Sequence, residues 1–261
     1  MKKYNMKNLI YQYFVPYTIL LNPNENKTKE FPEWAKIGRE SAKNYADTIG
    51  VEYMFQDKKY MNEKTLNVFE SFRIIFDETF DEYDNILLLD IDMIVNTKED
   101  IFKIKVDDIG MVHEAGVYNR PPMKSGPSFD KGFWNRYFNH PISGVTSYAK
   151  KYVNPFFVWE KSKLYSKEPF ALYNGGLQLW SKQGRLKARE TFKIEGHNHF
   201  REVTGKTETP YLNMMLFANY FGITEISNEW NRLHFQWEKD GNMGKITHYN
   251  GVKDMMIDHE K

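Results

Sequence analysis

Asp90 and Asp92 stand one residue apart where the apolar run Ile86-Leu87-Leu88-Leu89 ends. Alternation along an extended chain turns both carboxylates to one side of the strand tip. Two carboxylates so placed repel each other, and one is driven towards protonation. A hard divalent cation, Mg²⁺ or Mn²⁺, resolves that conflict and keeps open positions for phosphate oxygens. Asp-x-Asp at a strand end is also found as a plain solvated cap, so the pair needs partners before it means chemistry. Asn174-Gly175-Gly176 offers an amide side chain beside backbone that a ligand can approach closely, which suits sugar hydroxyls. The same three residues also make an ordinary turn between strand and helix.

The elements that must position these residues follow from periodicity. Residues Leu9 to Leu21 read as a buried first strand and its exit, because Gln12, Pro16 and several hydroxyls spoil any membrane-spanning or targeting reading. Pro32 opens a helix with Trp34, Ile37, Ala42, Tyr45 and Ile49 on one face and Gly50 as its stop. Val51 to Phe55 reads as a strand. Leu66, Phe69, Phe72, Phe76 and Phe80 predict a second amphipathic helix between Asn62 and Phe80. The Leu run that follows suits a strand buried on both faces, so the first ninety or so residues spell a Rossmann-like α/β half whose ligands sit at the carboxyl ends of the strands. Between Glu114 and Pro169 this rhythm gives way to Pro pairs and aromatic clusters, which predict an insertion within one domain spanning residues 1–261. Further on, Tyr211 to Phe221 is helix-like, and Lys245 to Tyr249 reads as a final short strand.

Composition narrows the function classes. Thirty-six Lys and Arg against thirty-five Asp and Glu leave a net charge of +1, so no charge excess favours nucleic acid. The absence of cysteine removes thiolate zinc sites and Cys nucleophiles, and fits a cytoplasmic chain. Aromatic residues make up 16% of the sequence, enough to supply stacking rings as well as core.

The run YDNILLLDIDMIV resembles the metal-binding strand of GT-A-fold glycosyltransferases, and four further landmarks in order are similar to glycosyltransferase family 8, which includes glycogenin and bacterial lipopolysaccharide galactosyltransferases. These are Tyr173-Asn174-Gly175-Gly176-Leu177, Tyr211-Leu212-Asn213, Trp230-Asn231 and His248-Tyr249-Asn250-Gly251. The resemblance implies a mainly parallel mixed α/β sheet flanked by helices, and transfer of a sugar from a nucleotide donor, a UDP-sugar, to a glycan or other acceptor. It implies Asp90, Asp92 and His248 as ligands of Mn²⁺ or Mg²⁺, and a neutral imidazole does ligate Mn²⁺ readily. Arg73, Asn174, Gly175, Gly176, Gly251 and Lys253 are implied at the donor.

Departures from the pattern are equally specific. Glu208, Thr209 and Pro210 stand where the family carries Asp, Gln and Asp, which makes Glu208 the candidate general base or transition-state anion, with Asn174 beside it. Lys253 follows His248 by one residue fewer than the family's lysine, and Met255-Met256 replace Pro-Trp. Two rival readings share the fold: a sugar-nucleotide nucleotidyltransferase, disfavoured because Tyr13-Phe14-Val15-Pro16 replaces a Gly-rich phosphate loop, and a catalytically silent carbohydrate-binding protein. Lesser candidates are His197-x-His199 for zinc, His113-Glu114 at the donor sugar, and Trp134, Trp159 and Trp237 as an acceptor platform.

Overall fold

The computed structural model describes residues 6–15, 31–61, 67–113, 173–192 and 208–259. Most of the expected insertion, with Glu114, Trp134 and Trp159, lies outside the described residues, as do His197 and His199. Among the described residues there are nine strands: β1 (Asn8–Tyr13), β2 (Glu52–Gln56), β3 (Asn85–Leu89), β4 (Met93–Val95), β5 (Ile109–His113), β6 (Tyr173–Ser181), β7 (Ile223–Ile226), β8 (Arg232–Leu233) and β9 (Ile246–His248). Six of them form the main sheet in the order β2-β1-β3-β6-β5-β7, and the other three form a small sheet, β4-β9-β8. In the main sheet β1 runs parallel to β2 and β3, and β5 to β7, while β6 is antiparallel to both neighbours. This is the mainly parallel mixed α/β sheet that the sequence implied.

Period-two alternation sorts the strand residues onto two faces. Leu9, Tyr11, Ile86, Leu88, Ile109, Met111 and Trp180 pack into one core, and Ile10, Leu87, Leu89, Val112, Leu177 and Leu179 into the other. All four leucine and isoleucine side chains of the run 86–89 are fully buried, so the strand is covered on both sides as its continuous apolarity required. Helix α1 (Glu33–Ile49) covers the second face and ends on Gly50, whose φ of 71° is the left-handed stop expected of it. Val95 N–H of the small sheet donates to Ser41 Oγ of α1 at 2.8 Å, and Ile37, Ile94, Tyr249 and Met256 fill the gap between them.

The helix expected between Asn62 and Phe80 is not continuous. Within its described part, a 3-10 turn over Asn67–Phe72 leads into a single turn, α2 (Arg73–Phe76), and a second 3-10 segment over Glu78–Glu82. The break falls at Asp77, whose carboxylate takes the Thr79 N–H at 3.1 Å and the Thr79 hydroxyl at 2.7 Å. That local bonding offers the backbone an alternative to helix, and Ile74 and Ile75 add little helix propensity against it. Phe69, Phe72 and Phe80 still reach the core, so the apolar spacing was a packing signal without being a regular helix. Of the later elements, α4 (Glu208–Ala218) overlaps the helix-like stretch expected over Tyr211 to Phe221, whereas α3 (Lys182–Thr191), α5 (His234–Asp240) and α6 (Met256–His259) were not read from the sequence. Among the described residues no helix is long and apolar enough to cross a membrane.

Two half-buried ion pairs tie the broken segment down. Arg189 of α3 grips Asp81 through both carboxylate oxygens, at 2.6 and 2.7 Å, and donates to the Ile75 carbonyl. Arg73 holds Asp77 at 3.0 Å. The Arg189 hydrogen bonds keep the Asp81 carboxyl below its ordinary 3.8. At Asp77, burial pushes upward but Thr79 and Arg73 outweigh it, so this carboxyl also lies low. A depressed folded-state value contributes stability above the unfolded value that is lost as pH falls through the folded one. The expected result is a Tm that declines below about pH 4, with a shallower decline in an Asp81→Asn variant. Superimposable Tm-versus-pH curves for the two proteins would show that the Arg189–Asp81 pair contributes nothing.

Candidate functional site

The carboxyl ends of β1, β2, β3, β5 and β7 share one edge of the main sheet with the start of β6, and the candidate residues gather there. Asp90 follows β3 directly, and Ile91-Asp92 form a turn into β4 rather than continuing the strand. Each peptide of that turn is pinned. Asp90 N–H donates to the Gly176 carbonyl at 2.8 Å, and the Asp90 carbonyl accepts from Gln12 Nε2 at 3.2 Å. Gln12 is itself held by the Tyr53 hydroxyl at 2.9 Å. The Ile91 carbonyl lies against α1, where a Cβ on Gly38 would stand 1.9 Å from its oxygen. The Asp92 carbonyl accepts from Tyr249 N–H at 2.9 Å. Antiparallel pairing of β4 with β9 sets His248 opposite Met93, beside the aspartates.

Ligand atoms of Asp90, Asp92 and His248 all lie within 4.8 Å of one another. His248 Nε2 is 3.3 Å from Asp92 Oδ1 and 3.8 Å from Asp90 Oδ2. Asp92 and His248 are buried, whereas the Asp90 side chain is 36% exposed and forms the open side of the cluster. Lys253 Nζ reaches Asp92 Oδ2 at 3.2 Å from a turn that passes through Gly251 at φ 82°, and sits 4.7 Å above the Trp34 ring. Electrostatics follow from this crowding. Burial and the Asp92 charge push the Asp90 carboxyl up. Burial alone would also raise Asp92, but His248 and Lys253 outweigh it and hold that carboxyl below the usual range. His248 is raised, because the two aspartates overcome the burial that disfavours an imidazolium.

The start of β6 breaks register with β5: Met111 pairs with Gln178, but Val112 pairs with Asn174. The intervening residues turn towards β3, which is how the Gly176 carbonyl comes to Asp90. A Cβ on Gly176 would lie 2.6 Å from His248 Cε1 and 3.0 Å from Asp90 Oδ2, so only glycine leaves the cluster its space. Gly175 faces Thr209, whose hydroxyl would be 2.3 Å from an added Cβ. Asn213 of α4 bonds the Tyr173 backbone at both N–H and C=O, each at 2.9 Å, and so sews α4 to β6. Glu208 opens α4, accepts the Thr209 hydroxyl at 3.1 Å, and contributes to the upward shift of Asp90.

The other sequence candidates fall as follows. Arg73 is held by Asp77 and lies over the Tyr60 ring at 4.9 Å. His113 ends β5 with its ring edge-on to Tyr173 at 5.8 Å. Trp237 is packed against His234 and His259. Two contributors escaped the sequence reading of the site. Gln12 had counted only as a polar interruption, and Asn231 only as half of a Trp-Asn landmark. Asn231 is fully buried and accepts from His248 Nδ1 at 2.9 Å.

The donor set fits a divalent cation. Two carboxylates and an imidazole converge, the His248 Nδ1 is engaged by Asn231 so that Nε2 faces the aspartates, and Gly176 leaves the volume clear. A mainly parallel sheet with such a strand-end turn and a small accessory sheet defines the GT-A fold. In solved structures the chain resembles a glycosyltransferase involved in glycosylation of the major capsid of PBCV-1, with TM-score 0.53 and 14% identity over 97% of this chain and 98% of that one. It also resembles the WbbM bifunctional glycosyltransferase, with TM-score 0.51 and 10% identity over 98% of this chain. The match spans 50% of the longer WbbM chain. At these identities the likeness establishes a shared fold. No family model matches the sequence, and no curated protein matches it.

Proposed function

We propose that this chain is a metal-dependent glycosyltransferase that takes a sugar from a nucleotide diphosphate donor, a UDP-sugar, and passes it to a glycan or other acceptor. The observation that carries the reading is the convergence of Asp90, Asp92 and His248 within 4.8 Å at the carboxyl edge of a GT-A sheet. A Mn²⁺ or Mg²⁺ ion bound there supplies Lewis-acid neutralisation of the charge that builds on the departing diphosphate. Asp90 and Asp92 hold the charge balance of the site. His248 presents Nε2, and Lys253, 3.2 Å from Asp92 and 42% exposed, is placed to swing to a phosphate oxygen. Asn174 offers its amide to a sugar hydroxyl, and Glu208 supplies the nearby negative charge suited to an oxocarbenium-like transition state or to proton abstraction from an acceptor.

The half-buried rings Phe14, just after β1, Phe31, Trp34 in the first turn of α1 and Phe55 near the end of β2 stand in edge-to-face contact at 5.2–5.8 Å, with Lys253 over Trp34. Such rings suit a planar base. A thermal-shift panel of UDP, GDP, ADP and CDP with and without Mn²⁺ is expected to rank UDP with Mn²⁺ first. A different base in first place overturns the uridine assignment, and a ranking indifferent to Mn²⁺ overturns the cation.

A further inference from the structure

Asn231 bonds outward in two directions at once. Its Oδ1 lies 2.9 Å from His248 Nδ1, and its Nδ2 donates to Asn174 Oδ1 at 2.8 Å. Asn174 Oδ1 takes a second hydrogen bond, from Gly176 N–H at 3.0 Å. All three side chains are buried, Asn231 completely. The polarity of this chain is fixed from end to end. An oxygen facing Nδ1 keeps a proton there and leaves Nε2 turned to the aspartates, which is the tautomer that ligates a metal through Nε2. Because Asn231 then meets Asn174 with its amide nitrogen, Asn174 must answer with oxygen, and its own Nδ2 becomes the end left for a ligand. The backbone of Asn231 is anchored between the 3-10 turn Asn228–Trp230 and β8, so the side chain has a rigid origin.

We propose that Asn231 is a positioning residue that couples the two halves of the site, setting the His248 tautomer for the cation and the Asn174 amide orientation for the sugar. This rests on the glycosyltransferase reading above. Through it, one buried amide makes the sugar subsite a hydrogen-bond donor whenever the cation subsite is ligand-ready.

Two substitutions separate the roles. Asn231→Ala removes both contacts, and the Mn²⁺ dissociation constant, read from free-ion electron paramagnetic resonance without any turnover, should rise about 10- to 100-fold. Asn231→Asp keeps an oxygen for the Nδ1 proton, so Mn²⁺ affinity stays near wild type. Its carboxylate cannot donate to Asn174, so Asn174 Oδ1 is left against a carboxylate, and turning the amide round to relieve this breaks the Gly176 N–H bond and presents oxygen to the ligand; either way the amide is no longer held as the sugar donor. Calorimetry with Mn²⁺ should then show that UDP binds as in wild type, while the extra affinity of UDP-glucose or UDP-galactose over UDP falls about tenfold, the effect of losing one well-made hydrogen bond to a buried polar partner. The proposal is overturned if Asn231→Ala binds Mn²⁺ as wild type does, or if Asn231→Asp retains the sugar increment. Should the alanine variant fail to fold, the near-isosteric aspartate variant decides alone. Wild-type protein that binds no Mn²⁺ overturns the site reading itself and this proposal with it, a result distinct from either variant outcome.

Discussion

Replacing Asp92 with alanine is expected to abolish Mn²⁺-dependent UDP binding and to reduce sugar transfer at least about 1,000-fold, since a ligand of a Lewis-acid site supplies several kcal/mol of charge stabilisation and each 1.4 kcal/mol is tenfold. Asp92 is the buried carboxylate of the pair, and it alone touches both His248 at 3.3 Å and Lys253 at 3.2 Å. Its loss leaves Asp90 as a single exposed carboxylate, too little charge to hold a hard cation against water. The fold should survive, because the turn is held through backbone groups: Asp90 N–H to Gly176, and Tyr249 N–H to the Asp92 carbonyl. Asp92→Asn, which preserves shape, should fail just as completely. Calorimetric titration of UDP with Mn²⁺ decides the matter, and an unchanged affinity in either variant removes the metal assignment.

Gly38→Ala should destabilise the protein by about 2 kcal/mol, although alanine is the better helix former by about 1 kcal/mol. The added methyl would lie 1.9 Å from the Ile91 carbonyl oxygen and 3.2 Å from Met256 Cε. The first of these is backbone, so no rotamer change relieves it. Either α1 lifts from the sheet or the Asp90–Asp92 turn moves. Tm should fall by about 5 °C for a chain of this size, and Mn²⁺ affinity should fall with it. Lys43→Ala, on the exposed face of the same helix, is the control and should change neither. A rise in Tm for Gly38→Ala would mean that helix propensity prevails and that α1 does not clamp the turn.

What the sequence revealed was whatever a short stretch can encode. The Leu run and its carboxylate pair, the cap and face of α1, and the ordered landmarks around Asn174, Asn213 and His248 are local patterns, and the structure assembles them at one sheet edge. Periodicity misled at Asn62 to Phe80, because burial of every third or fourth residue is satisfied by 3-10 turns as well as by helix, and the interruption depends on one aspartate bonding its own neighbours. Less legible still were contacts between residues distant in the chain. Gln12 supports a carbonyl 78 residues away, and Asn231 meets Asn174 across 57. Gly38 reads as a weak point in a helix until Ile91 is placed against it. Arg73, implied at the donor by the resemblance, also pairs with Asp77 one helical turn further along.

The Asp90–Asp92 turn is also the joint at which the polypeptide leaves the six-stranded sheet for the three-stranded one. His248 comes to it from the closing segment of the chain. A cation seated among these three side chains would therefore be a further rivet between two sheets already joined by three crossings of the chain, β3 to β4, β4 to β5 and β7 to β8, and by shared core packing. On the proposed reading, filling the site would brace the early strand β3 against the late strand β9, adding stability to a turn that its backbone bonds already hold.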